Sequence, residues 1–156
     1  MLDNWLVWLV VLLALAFDYI NGFHDTANAI ATSVSTRAID PKKAVIMTAI
    51  LNFAGALVST GVAKTIGGDL VMSPGLINEE VIVAALIGAI VWNLLTWWYG
   101  IPSSSSHALI GGVVGAVMVS VGHQALNFEG IGKIFLSLIL SPISAMITGY
   151  IIMRVL

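Results

Sequence analysis

The chain has 156 residues and a net charge of −2; 59% of it is hydrophobic, 9% is charged, and cysteine is absent, with a mean hydropathy of +1.03. A soluble domain of this length has too much surface for its volume to hide that much apolar side chain, and soluble domains carry about 25% charged residues, so the composition points to a lipid bilayer. It excludes nucleic-acid binding, which needs a basic cluster, and the lack of cysteine excludes disulfides, thiolate metal sites and cysteine nucleophiles.

About five stretches approach the roughly 20 apolar residues that cross a membrane. The first runs from Trp5 to Phe23 and continues, less apolar, to Ser35. Ala14-Leu15-Ala16 resembles a signal-peptide cleavage site, but the region before it carries Asp3 and no Lys or Arg, so an uncleaved first span is expected. The others are Ala44–Ile66, Val81–Tyr99, His107–Val121 and Ile131–Met153, separated by turn-rich breaks at Thr36–Lys43, Gly67–Glu80, Gly100–Ser106 and Gly122–Gly130. Arg37, Lys42 and Lys43 in the first break place it in the cytoplasm and the N-terminus outside.

Two stretches are not simple spans. Trp5 to Ser35 would be roughly 46 Å of helix against a hydrocarbon core of about 30 Å, and a break or strong bend is expected at Asn21-Gly22. The fourth stretch is short and follows Pro102 and four serines, which predicts a re-entrant or half-crossing helix facing protein or a watery cavity. Small residues at Ala84 and Gly88, Gly111 and Gly115, and Ser141, Ala145 and Gly149 fit helix packing. Trp92, Trp97, Trp98 and Tyr99 suit a membrane interface.

Within the first segment, Asp18, Asn21, Asp25, Asn28, Thr32 and Ser35 follow one another at spacings of three and four. At about 100° per residue they share one helix face. An ionised group at membrane depth costs at least about 2.5–3.5 kcal/mol. Carboxylate and amide oxygens in a line suit a hard cation such as Na⁺, or a proton on Asp. The plainer alternative is a set of polar residues that satisfy one another. His24 lies off this face and is read equally as a local hydrogen-bonding group or a functional one.

The second constellation is Gly100-Ile101-Pro102-Ser103-Ser104-Ser105-Ser106-His107, before a glycine-rich helix. Pro102 disfavours helix at Ile101, a serine can cap the helix that follows, and the first N–H groups of that helix point outward with partial positive charge. Together with the hydroxyls they form an anion site suited to an oxyanion such as phosphate. An ordinary N-cap is the bland alternative. A serine hydrolase is not supported, because Ser106 and His107 point about 100° apart on a helix and no Gly-x-Ser-x-Gly elbow occurs.

Gly22-Phe23-His24-Asp25-Thr26-Ala27-Asn28-Ala29 resembles the Gly-x-x-Asp-x-Ala-Asn-Ala segment of the inorganic phosphate transporter (PiT) family of cation-coupled symporters. Trp92-Asn93-Leu94-Leu95-Thr96-Trp97-Trp98-Tyr99-Gly100-Ile101-Pro102-Ser103-Ser104-Ser105-Ser106-His107 is similar to that family's Trp-Asn-x-x-Thr-Trp-x-x-Gly-x-Pro-x-Ser-Ser-Ser-His. The resemblance covers nearly the whole chain. It implies an all-α membrane protein, not an enzyme, that moves inorganic phosphate in symport with Na⁺ or H⁺, with no other cofactor. It implies phosphate contacts at Ser104, Ser105, Ser106, Asp25 and Asn28, and a cation, Na⁺ included, at Asp25 and Asn28; the polar stripe adds Asn21 and Asp18 as neighbouring cation contacts.

Family members have two halves of inverted topology, each with one copy of such motifs, and this chain has one copy. Residues 1–156 are therefore expected to be a single transmembrane domain, the N-terminal repeat of a transporter truncated at its C-terminus. A second half or another copy would complete the site in the plasma or inner membrane. A non-transporting helical membrane subunit and an anion channel are the competing classes. These residues suit Na⁺ or H⁺ as the coupling ion, and free or metal-complexed phosphate as the substrate.

Overall fold

The computed structural model describes residues 5–58, 68–73, 75 and 77–155. Among them the protein is all-α, with five α-helices, one short 3₁₀ turn and a single isolated bridge between Val71 and Leu126. The helices are α1 (Trp5–Ser35), α2 (Pro41–Val58), α3 (Glu79–Trp98), α4 (Ser105–Ser120) and α5 (Phe128–Val155). All but α4 are long and apolar enough to cross a membrane. The second span expected over Ala44–Ile66 is helical to Val58, and residues 59–67 lie outside the described residues.

The break expected at Asn21-Gly22 is absent: α1 is one unbroken helix of 31 residues. Unwinding would serve to expose polar backbone to a ligand, but here the polar side chains find partners on another helix. Asn21 donates to Ser105, and a Cβ on Gly22 would meet nothing within 4 Å.

Local chemistry sets the helix ends. Arg37, in the left-handed region at φ 60°, closes α1 with Ala38 N–H donating to Ser33 O and Arg37 N–H to Val34 O, both at 3.0 Å, a Schellman ending. Asp40 Oδ1 then accepts from Lys42 N at 3.0 Å and Pro41 opens α2, the usual division between a capping carboxylate and a proline that needs no donor. Asn78 caps α3 by accepting from Val81 N, and Glu79 and Glu80 favour the positive end of its dipole. The other end of α3 repeats the Schellman closure. Ile101 N–H donates to Thr96 O at 2.8 Å and Gly100 N–H to Trp97 O at 3.1 Å, with Gly100 at φ 65°.

This closure, followed by Pro102, folds α4 back antiparallel on α3. The two helices touch closely at Gly112, where a Cβ would collide with the carbonyl of Ala85. Gly111 and Gly115, the pair singled out by spacing, instead face open space. With 16 residues, α4 is roughly 24 Å long and is the short helix expected after the Pro-Ser turn. Its far end joins the cluster of Leu70, Val71, Val81, Ala85, Val113, Val117, Ala125 and Leu126. There Met72 N–H donates to Ala125 O and Asn127 N–H to Leu70 O.

Helix α1 runs parallel to α3. Phe17 packs with Leu86 and Ala89, His24 reaches Thr96, and Phe23 stacks edge-on to Trp97 at 5.6 Å. Parallel placement is what an alternating path through a bilayer requires of helices one crossing pair apart. Residues 27 onward of α1 continue past the end of α3. Helix α5 buries only Gly130, and its apolar side chains face outward.

Candidate functional site

The site lies where the middle of α1 meets the N-terminus of α4, with α3 behind. Asn21, Asp25 and Asn28 sit on one face of α1, and each meets the serine turn. Ser105, fully buried, donates its hydroxyl to Asp25 Oδ2 at 2.5 Å and accepts from Asn21 Nδ2 at 2.8 Å. Its backbone N–H lies 3.5 Å from Asp25 Oδ1. Asn28 Nδ2 donates to the carbonyl of Ser103 at 3.0 Å. Ser104 is the N-cap of α4, in extended conformation, and its Oγ accepts from His107 N.

The positive end of α4 is therefore occupied from within the protein. A helix N-terminus attracts an anion, and the anion placed there is the carboxylate of Asp25. Asp25 is not sealed in: 39% of its side chain is exposed.

Helix α3 holds Asp25 from the other side through His24. His24 is buried, with Nδ1 3.2 Å from Asp25 Oδ1 and Nε2 3.2 Å from Thr96 Oγ1. Thr96 donates its hydroxyl to the carbonyls of Trp92 and Asn93 at 3.0 and 3.1 Å. A hydroxyl can donate or accept, so it pairs with His24 Nε2 in either tautomer. Nδ1 faces the carboxylate of Asp25. His24 lies off the polar stripe, yet it is the residue that ties the stripe to α3.

The rest of the stripe does not join this cluster. Ser35 Oγ donates to the carbonyl of Thr32 at 3.0 Å, so the lower end is satisfied within its own helix. Asp18 lines a separate cavity of about 580 Å³ between α1 and α2, with Gly22, Thr26 and Asn52; there Asn52 Nδ2 donates to Thr26 Oγ1 at 3.3 Å. The serine turn is likewise divided. Ser105 faces α1, whereas Ser103 and Ser104 line a cavity of about 480 Å³ with Trp92, His107 and Gly111, where Trp92 Nε1 donates to Ser103 Oγ at 3.3 Å.

Sequence reasoning gave no role to Thr96, Asn52 or Asn93. Asn93 is fully buried and neither of its side-chain polar atoms has a hydrogen-bond partner among the described residues; such a group costs about 1–3 kcal/mol unpaired. The available signal was a pair of polar residues three apart, Asn93 and Thr96, on one face of an otherwise apolar helix. Among the described residues no three His, Cys, Asp or Glu side chains converge as a metal centre. The polar groups gathered here are the Asp25 carboxylate, the amide nitrogens of Asn21 and Asn28, and the hydroxyl and backbone N–H of Ser105.

Residues 21–156 match the model of a family described as "Phosphate transporter family". The chain belongs to that family. It is 59% identical over 145 residues to a "Probable low-affinity inorganic phosphate transporter" of Bacillus subtilis (strain 168), covering 92% of this chain and 44% of that protein. It is 43% identical over 155 residues to the "Low-affinity inorganic phosphate transporter PitB" of Escherichia coli (strain K12), covering 89% of this chain and 31% of that one. A solved structure, "The sodium-dependent phosphate transporter", superposes with a TM-score of 0.80 at 30% identity, over 88% of this chain and 35% of that chain. The chain thus spans less than half the length of these relatives. Family and apolar helices together make it part of an integral, multi-pass membrane protein.

Proposed function

We propose that the full-length protein carries inorganic phosphate across the cell membrane in symport with a cation, Na⁺ or H⁺, and that this chain supplies one half of the binding site. The observation that carries the reading is the hydrogen bond from Ser105 to Asp25 at the N-terminus of α4. A phosphate approaching that helix end meets a carboxylate already in the place an anion would take. Like charges at such a distance repel strongly where water is scarce. Neutralising Asp25 with a cation removes the repulsion and releases the Ser105 hydroxyl and N–H for the incoming oxyanion. Cation and phosphate are then bound together or hardly at all, which is the requirement for coupled transport.

In this reading Asp25, Asn28 and Asn21 hold the cation, with Asp18 a further acidic station in the neighbouring cavity. Ser104, Ser105 and Ser106 bind phosphate, alongside Asp25 and Asn28. The sodium dependence named for the structural neighbour favours Na⁺; the His24–Asp25 contact offers a place for a proton. Residues 1–156 form one repeat. The exposure of Asn28 and the small share of each relative that is covered support a second half, or a second copy, closing over the site, and the filled site changes sides as the halves rock.

Uptake of radiolabelled phosphate by proteoliposomes of the full-length protein, under an imposed Na⁺ or proton gradient, tests this. Accumulation of phosphate against its own gradient, driven by one of the two cations, is expected. Equilibration without accumulation would indicate a channel, and no uptake a non-transporting subunit.

A further inference from the structure

The turn between α1 and α2 carries three cations, Arg37, Lys42 and Lys43, against one carboxylate, Asp40. None of the three cations belongs to the site at Asp25, and none is in an ion pair among the described residues. Asp40 faces the start of α2, where its Oδ1 accepts from Lys42 N at 3.0 Å and from Lys43 N at 3.4 Å. A helix dipole disfavours cations in its first turn, so the stability of α2 does not account for Lys42 and Lys43. Beyond Lys43 lies a groove of about 390 Å³, lined by Lys43, Ile46, Met47, Ile50 and Leu51. Their spacing puts them on one face of α2, and the four apolar side chains are all exposed. The opposite face is the one turned to α1: Val45, Ala49 and Asn52 line the cavity beside Asp18, and Asn52 donates to Thr26. The groove therefore faces away from α1, with a cation at its head and apolar side chains along its length.

We propose that this face of α2 binds an anionic phospholipid, with the lipid phosphate at Lys43 and one acyl chain along Ile46, Met47, Ile50 and Leu51. Lys42 and Arg37 add to the field at the headgroup. Helix α2 is long and apolar enough to cross a membrane, and lysines in its first turn stand at the level of the lipid headgroups. From Lys43 to Leu51 the helix rises roughly 12 Å, most of one leaflet's share of a hydrocarbon core about 30 Å thick. The positive-inside rule assigns the turn, and with it the lipid, to the cytoplasmic side. That rule asks for positive charge in the turn and asks for no groove. A soluble oxyanion would meet the charge and leave the apolar face uncovered. A zwitterionic lipid would cover the groove and bring a cation of its own towards Lys43. An anionic lipid satisfies both halves of the site, since basic residues beside a membrane span attract its headgroup and exposed apolar side chains take its chain.

The test uses the purified full-length protein in a neutral detergent, titrated with phosphatidylglycerol, with phosphatidylcholine or with glycerol phosphate. Native mass spectrometry reads the lipid retained, and the melting temperature is followed through each titration. Wild type should retain phosphatidylglycerol in preference to phosphatidylcholine and melt higher with it. Lys43→Gln should need about fivefold more phosphatidylglycerol for the same stabilisation, the effect of one basic residue at an anionic surface. Ile50→Trp keeps every charge and the apolar character of α2 but fills the groove. It should weaken retention at least as much as Lys43→Gln, and it carries the test if Lys43→Gln does not fold. A folded Ile50→Trp that holds phosphatidylglycerol as wild type does would overturn the proposal, because diffuse attraction to the basic turn would then be enough. Equal retention of the two lipids, or stabilisation of wild type by glycerol phosphate as strong as by phosphatidylglycerol, would overturn it as well.

Discussion

Ser105 and Asp25, eighty positions apart in the chain, share a hydrogen bond of 2.5 Å that places a carboxylate on the N-terminus of α4. The bond makes one residue of the proposed anion site the partner of the residue proposed to hold the cation. On the proposed reading, occupancy of one position alters the other without any long-range rearrangement.

Removing the hydroxyl should break this link. Ser105→Ala takes a donor from Asp25 and an acceptor from Asn21, and hydrogen bonds to charged groups contribute about 1.5–3 kcal/mol. Cation-stimulated phosphate uptake is expected to fall by about ten- to a hundredfold at subsaturating phosphate. Uptake within twofold of wild type, in protein of normal thermal stability, would mean that Ser105 is an ordinary buried serine.

The His24 clamp predicts a different pattern. Thr96→Val is nearly isosteric but leaves the buried Nε2 of His24 without its hydrogen-bond partner, at about 1–3 kcal/mol. The melting temperature in detergent and the uptake rate should both decrease, and Thr96→Ser should restore both. Failure of serine to rescue would show that the methyl group, and not the hydroxyl, is what α1 needs.

The seam between α3 and α4 gives a purely structural prediction. Gly112→Val forces a side chain into the carbonyl of Ala85, and overpacking of this kind costs about 1–3 kcal/mol. Gly115→Ala adds its methyl to open space and should leave the melting temperature unchanged. Equal effects from the two variants would contradict the packing described.

Much of this architecture is legible in the sequence because it depends on local chemistry. The apolar stretches, the short helix after Pro102 and the capping serine follow from hydropathy, proline and the unsatisfied groups at helix ends. The polar stripe was visible as a face, and its middle members, Asn21, Asp25 and Asn28, are those that meet the serine turn. Its ends were not separable by spacing: Ser35 turns back on its own helix and Asp18 faces another cavity. The continuity of α1 was missed because the partner that satisfies Asn21 comes from α4. His24 and Thr96 escaped for a similar reason, since their roles depend on the register between α1 and α3, which no single helical period contains.

The most direct test of cation coupling at Asp25 is phosphate binding itself, measured calorimetrically on the full-length protein with and without the coupling cation, for wild type and Asp25→Asn. Wild type should bind phosphate tightly only when the cation is present. Asp25→Asn, whose α4 terminus no longer holds a carboxylate, should bind phosphate with the same affinity in both conditions and lose cation-driven uptake. Wild-type phosphate affinity that does not change with the cation would contradict the account.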